Sequence, residues 1–193
     1  KGHRFTTRSD TEVLVHLYEE EGDNLTHRLN GMFAFAIWDE RSQRLLVARD
    51  RVGKKPLHYH LAEDGSLTFA SELNALMSDR SIRRAMDMEA FDDYLAYGDV
   101  PSPRTVWQDD RKLEPAHTLV WQDGRIHSTR WWRLDYRDPK LEQDRADLEG
   151  QVRTLVSAAV RRRMISDVPL GAFLSGGIDS SIVVAEMAFH SAS

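Results

Sequence analysis

The sequence predicts two units of different class, an α+β layered sandwich followed by the start of an α/β unit. Three observations carry this. From residue 1 to about residue 132, short β-type apolar runs alternate with turn residues. From about residue 144 onward the pattern becomes helix, strand, helix. Between them, Asp135-Tyr136-Arg137-Asp138-Pro139-Lys140 is polar and contains proline, as a linker would. No internal repeat or low-complexity segment is present.

Gly2-His3-Arg4-Phe5 reads as a short strand. Ser9-Asp10-Thr11-Glu12, followed by Val13, Leu14, Leu17 and Tyr18, reads as a capping box opening an amphipathic helix. Gly31 precedes Met32-Phe33-Ala34-Phe35-Ala36-Ile37-Trp38, seven apolar residues without alternation, the pattern of a strand covered on both faces. A polar turn at 39–43 leads to a second strand, Arg44–Arg49, and the turn Asp50-Arg51-Val52-Gly53-Lys54-Lys55-Pro56 to a third at 57–61. Asp64-Gly65 marks a hairpin before a strand at 66–70. These strands are expected to form a meander within a sandwich that carries helices outside. Further on, Leu148, Val152, Leu155, Val156, Ala159 and Val160 recur at the spacing of a helix facing a core.

The densest chemistry lies in Leu174-Ser175-Gly176-Gly177-Ile178-Asp179-Ser180-Ser181. It falls between a short apolar segment at 171–174 and an amphipathic segment at 182–189, so it reads as strand, tight turn and helix start. The first turn of a helix offers free N–H groups and the positive end of the dipole, which together bind anions. Gly176 and Gly177 allow close approach and positive φ, while Ser175, Ser180 and Ser181 add hydroxyl donors. Asp179 would repel a phosphate unless a divalent cation joined them, which points to Mg²⁺. A Walker loop is excluded, because no lysine occurs between residues 141 and 193. The plainer alternative is a Gly-Gly turn with Ser180 as helix cap. The whole string resembles the pyrophosphate loop of the PP-loop ATP pyrophosphatases, which split ATP between its α and β phosphates.

At 193 residues, 41% hydrophobic and 30% charged, the chain can bury one good core or two small ones. The net charge of −5 gives no reason to expect nucleic acid. Arg161-Arg162-Arg163 is the one compact basic run and reads as a solvated helix face. No apolar stretch approaches a membrane span and no signal-peptide pattern opens the chain, so the expectation is cytoplasmic, with no membrane partner. With no cysteine, the 193 residues hold no disulfide, no thiolate zinc site and no cysteine nucleophile. The chain opens with Lys1 and closes one helix after the phosphate loop. One strand, a loop and a helix are too few for a nucleotide pocket, so an internal fragment of a larger protein is expected.

Several motifs together resemble one family. Gly31-Met32-Phe33-Ala34-Phe35-Ala36, the run from Ala48 through Arg49, Asp50 and Gly53 to Leu57, and Phe69-Ala70-Ser71-Glu72-Leu73 are similar to the glutaminase domain of glutamine-hydrolysing asparagine synthetases. Tyr97-Gly98, Pro101-Ser102-Pro103-Arg104-Thr105 and Lys112-Leu113-Glu114-Pro115-Ala116-His117 are similar to that family's connecting segment. Ser166-Asp167-Val168-Pro169-Leu170-Gly171 leads into the phosphate loop as it does there. The motifs occur in the family's order at about its spacing.

The resemblance implies an N-terminal-nucleophile (Ntn) αββα sandwich, incomplete, followed by the start of an α/β PP-loop domain of the adenine nucleotide alpha hydrolase type. Its implied boundaries are a class II glutamine amidotransferase part at 1–133, a linker at 134–145 and an asparagine synthetase part at 146–193. The family's nucleophile is an N-terminal Cys, so no catalytic residue is carried over to this chain. Asp10 matches the carboxylate that holds the α-amino group of glutamine, and the pairing suits a charge-assisted hydrogen bond. The alternative for Asp10 is an acid favouring the positive end of its helix. Leu174, Ser175, Gly176, Gly177, Asp179, Ser180 and Ser181 are carried over as the ATP and pyrophosphate site, with Asp179 toward Mg²⁺.

The implied activity is that of a carbon–nitrogen ligase: ATP-dependent adenylation of the aspartate β-carboxylate, then amidation with glutamine-derived ammonia. Glutamine, aspartate and ATP are the implied partners, and a homodimer is among the expectations. Two alternatives stay open, a paralogue with another acceptor (β-lactam synthetase-like or exopolysaccharide-associated) and a non-catalytic binding or assembly domain.

Other residues suggest less. His58 and His60 share a strand face but lack a third ligand at recognisable spacing. Trp131-Trp132 could stack a base but reads as packing at the domain junction, and Arg49 and Lys54 could bind phosphate but read as charges satisfied on a surface turn.

Overall fold

The structure, a computed structural model, describes residues 2–136 and 145–191. The chain divides into two compact units, Lys1–Leu134 and Asp135–Ser193. Most of the linker expected at 134–145 falls at 137–144, outside the described residues.

Among its described residues the first unit holds seven strands: β1 (Ala34–Asp39), β2 (Arg44–Arg49), β3 (His58–Leu61), β4 (Leu67–Ala70), β5 (Asp110–Lys112), β6 (His117–Gln122) and β7 (Arg125–Arg130). They form two antiparallel sheets, one ordered β1-β2-β6-β7 and the other β4-β3-β5. The expected single meander is therefore corrected: β1 and β2 lie in one sheet, β3 and β4 in the other. The cause is apolar burial across the crossing at 50–57. Val47 and Leu119, paired in the first sheet, pack with Leu57 and Leu113, and Tyr59 and Leu67 of the second sheet close on the same cluster. All four central residues are at most 5% exposed, so the core lies between the sheets.

Helices attach to both sheets. Following α1 (Glu12–Glu21) comes a 3₁₀ helix at Gly22–Arg28. Tyr18 Oη donates to Asp39 Oδ2 at 3.4 Å, and the Arg44 guanidinium joins the Tyr18 hydroxyl at 3.2 Å and the Asp23 carboxylate. A second cluster, Leu76, Met77 and Ile82 with Ala70, Leu73 and Trp107, seats α2 (Leu73–Leu76) on β4. The helix α3 (Met88–Tyr97) is capped by Asp87, whose carboxylate accepts the N–H groups of Glu89 and Ala90. This is the expected layered sandwich.

Three local expectations fail. Gly2-His3-Arg4-Phe5 forms no strand, since no neighbouring strand among the described residues takes up its backbone groups; its side chains lie on His16 instead, with ring centroids 4.5 Å away for His3 and 4.9 Å for Phe5. The 32–38 run is not doubly buried. Among the described residues β1 pairs on one side only, and Trp38 stays 46% exposed. The capping box does not close: Thr11 makes no side-chain cap, and Glu12 reaches past Ser9 to accept the N–H groups of Thr6 and Thr7, each at 2.6 Å.

The second unit contains α4 (Arg145–Arg163) and α5 (Ile178–Ser191). Ser157 Oγ and His190 Nε2 meet at 2.9 Å between them. Of the apolar stripe on α4, Val160 is buried while Val152 and Leu155 remain exposed. The strand expected at 171–174 is also corrected. These residues are irregular and exposed, because a strand needs neighbours to bond and none lies in this unit among the described residues.

Candidate functional site

Of the strand, turn and helix expected around residues 171–189, the turn and the helix are present. Gly176 has φ +81°, a conformation open to glycine at little cost, and Gly177 immediately precedes α5. The Gly177 carbonyl accepts three hydrogen bonds, from Ser181 N–H at 3.1 Å, Ser181 Oγ at 2.8 Å and Ser180 Oγ at 3.0 Å. Ser175 Oγ lies 3.1 Å from Ser180 Oγ. Ser180 is thus inside the first turn of α5 rather than its cap, and the caps-only reading of this serine fails.

The loop brings together Ser175, Gly176, Gly177, Asp179, Ser180 and Ser181, and all but the half-buried Ser180 are exposed. Leu174 adjoins them and is 62% exposed. Asp179 lies in the first turn of a 14-residue helix, where the free N–H groups favour an anion. A carboxylate oxygen beside such an anion is the hard donor that Mg²⁺ takes, so the donor set fits a magnesium–phosphate pair. A concavity of about 1090 Å³ between α4 and α5 is lined by Arg153, Arg161, Glu186 and His190 among others and includes none of the loop residues.

Asp10 stands apart, in the first unit. It is exposed, just ahead of α1, and lines a concavity of about 800 Å³ with Asn30, Gly31, Phe33, Lys55 and Ser71. Thr11 Oγ1 lies 3.5 Å from its Oδ1. The strap that carries Asp10 is held by Glu12, whose carboxylate accepts the Thr6 and Thr7 N–H groups and both their hydroxyls. Those bonds, led by the Thr7 hydroxyl and the Thr6 N–H, pull the Glu12 carboxyl down to about 2.

The far wall is built by a residue the sequence reading passed over. Asp50 is 1% exposed. Its carboxylate accepts the N–H groups of Phe33 (3.3 Å), Val52 (3.2 Å), Lys54 (3.0 Å) and Lys55 (3.0 Å). It therefore sets the turn that presents Lys55 to the concavity. An aspartate three residues ahead of a glycine was the available signal.

Arg49 is not a surface charge. It is 9% exposed and donates to the carbonyls of Gly53 (2.9 Å), Lys55 (2.8 Å) and Leu113 (2.5 Å), which leaves no fork for phosphate. Burial lowers its pKa from the usual guanidinium value. His58 and His60 also take other roles: His60 Nδ1 lies 2.9 Å from the buried Asp110 carboxylate, and burial lowers the His58 pKa. Trp131 packs within the first unit, stacked on Phe33 and beneath the Arg51 guanidinium at 5.3 Å.

Comparison with known proteins finds two family matches. Residues 1–132 match the family described as glutamine amidotransferase domain, and residues 151–193 the family described as asparagine synthase. Asparagine synthetase [glutamine-hydrolyzing] 3 of Bacillus subtilis (strain 168) is 37% identical over 191 residues, 98% of this chain and 31% of that protein. Asparagine synthetase B [glutamine-hydrolyzing] of Escherichia coli (strain K12) is 35% identical over 184 residues, 95% of this chain and 28% of that protein. The chain thus spans about a third of the length of these curated relatives. A solved structure of glutamine phosphoribosylpyrophosphate amidotransferase from B. subtilis aligns over 97% of this chain and 39% of its own, with TM-score 0.47 and 21% identity.

Proposed function

We propose, since this chain belongs to the glutamine amidotransferase domain family over residues 1–132 and continues into an asparagine synthase match, that it forms part of a glutamine-dependent asparagine synthetase. The observation that carries this is the Ser175–Ser181 loop at the start of α5, on the same chain as the Asp10 concavity. In this reading residues 1–133 belong to the glutaminase part, 134–145 link, and 146–193 open the synthetase part.

Ammonia does not displace an oxygen from a free carboxylate, because oxide is too poor a leaving group. Adenylation removes that obstacle. A β-carboxylate oxygen of aspartate attacks the α-phosphorus of ATP, the bond to the bridging oxygen breaks, and pyrophosphate leaves; ammonia then displaces AMP to give the amide. The chain's own contribution is to hold the departing pyrophosphate. The N–H groups at the head of α5 face its charge, Gly176 and Gly177 keep Cβ atoms out of its way, and Ser175, Ser180 and Ser181 offer hydroxyls once their present bonds exchange. Leu174 flanks the adenosine side. Asp179 would hold Mg²⁺, which when bound offsets phosphate charge.

In the first unit, Asp10 receives the α-ammonium group of glutamine, and Lys55 adds a cation to the same concavity. These 193 residues contain no cysteine and so supply no thiol nucleophile for the release of ammonia. No described helix is long and apolar enough to cross a membrane; a cytoplasmic, homodimeric enzyme completes the proposal. The test is Asp179→Ala in the full-length protein. Loss of aspartate-dependent ATP–pyrophosphate exchange with glutamine hydrolysis retained supports the assignment, and retained exchange refutes it.

A further inference from the structure

His3, His16 and Glu19 form a cluster that neither proposed site uses. His16 and Glu19 are one turn apart on α1, and the strap before the helix brings His3 over them. One ligand atom from each of the three lies within 4.8 Å of the other two. Glu19 Oε2 is 3.7 Å from His3 Nδ1 and 3.6 Å from His16 Nδ1. Those separations are too long for hydrogen bonds. They approach the ~3.3 Å between two ligand atoms that each sit ~2.0 Å from a tetrahedral ion.

His16 supplies a second, independent observation. Both of its ring nitrogens are buried from solvent, and neither has a hydrogen-bond partner among the described residues. Buried polar atoms in folded proteins are nearly always satisfied, so this imidazole is set up for a partner of another kind. The surroundings are anionic: Glu12 Oε1 lies 3.8 Å from His16 Nε2, and Glu20 Oε1 2.9 Å from His3 Nε2. The Glu20 contact is a carboxylate beside the outer nitrogen of a ligating histidine, which fixes its tautomer and orientation in metal sites.

We propose that His3, His16 and Glu19 bind a divalent cation of borderline softness, Zn²⁺ in the first instance. Two imidazole nitrogens and one carboxylate oxygen form the donor set zinc accepts with a fourth position left to water; magnesium and calcium prefer oxygen alone. Binding ties the strap to α1. Because the same strap ends at Asp10, the ion also steadies the wall of the proposed glutamine site, a consequence that rests on the glutaminase reading.

The test is equilibrium dialysis of the full-length protein, stripped with chelator, against Zn²⁺, alongside His3→Ala, Glu19→Gln and Asp179→Ala. His3 and Glu19 are exposed residues whose replacement leaves the core untouched, and circular dichroism checks the fold of each variant. The expected result is one zinc equivalent, bound at least about 100-fold more weakly in His3→Ala and Glu19→Gln and unchanged in Asp179→Ala. Equal zinc affinity in the wild type, His3→Ala and Glu19→Gln overturns the site, as does loss in Asp179→Ala alone. Neither result bears on pyrophosphate exchange, so the two proposals fail separately.

Discussion

Asp50 and Phe33 are joined in both directions: the Asp50 N–H donates to the Phe33 carbonyl at 2.9 Å, and the Phe33 N–H donates to the Asp50 carboxylate at 3.3 Å. This pair fastens the turn that carries Lys55 to the segment that enters β1, so both walls of the Asp10 concavity depend on one buried carboxylate. Asp50→Ala strips the acceptor from four backbone N–H groups, and a loss of about 3 kcal/mol is expected. Asp50→Asn keeps one carbonyl oxygen and should lose roughly half as much. Chemical denaturation of the two variants measures the difference; equal stability to wild type would remove Asp50 from this role.

Arg49 and Gly53 are a second such dependence. A Cβ on Gly53 would lie 2.9 Å from Pro115 Cγ and 3.0 Å from Arg49 Cζ, at a backbone φ of +66°. Gly53→Ala is expected to cost at least about 1–2 kcal/mol from the backbone alone. Arg49→Ala leaves three carbonyls without their donor and is expected to cost about 3 kcal/mol. Thermal melts of the single and double variants should show less than additive losses, since both changes disturb the same contact.

The Glu12 clasp predicts an acid limit. Its carboxyl is held at about 2 against an ordinary 4.5. A lowered carboxylate pKa stabilises the folded form fully above about 4.5 and progressively less as pH falls through about 2. NMR titration of the Glu12 carboxyl carbon should therefore show its midpoint well below that of a free glutamate. A midpoint near 4.5 would mean that the strap is not clasped.

Asp10 makes a kinetic prediction. In the full-length protein, Asp10→Asn keeps the shape and removes the charge proposed to face the glutamine ammonium group. The KM for glutamine should rise about 10–100-fold, while synthesis driven by free ammonia stays unchanged. An unaltered glutamine KM would return Asp10 to a helix-end role.

Where the sequence was legible and where it was not follows from the range of the forces involved. The strand Arg44–Arg49, the helix behind Thr11 and the glycine turn ahead of α5 rest on local patterns, and each is present. What escaped needed distant partners. The split of the strands between two sheets depends on Val47 meeting Leu57 and Leu113. The burial of Arg49 depends on a carbonyl 64 residues away, at Leu113. Apolar content alone suggested a strand at 171–174, but a strand exists only where another can pair with it. Of the sites, the loop residues were visible as one continuous string, whereas the floor under Asp10 joins segments around residues 30, 55 and 71 that no motif connects.

The most direct test of the whole account is aspartate-dependent ATP–pyrophosphate exchange by the full-length protein carrying Asp179→Ala, measured beside its glutaminase activity. Exchange reduced to background, with glutamine hydrolysis at the wild-type level, is the result expected of the pyrophosphate-loop assignment. Exchange at the wild-type rate would contradict it.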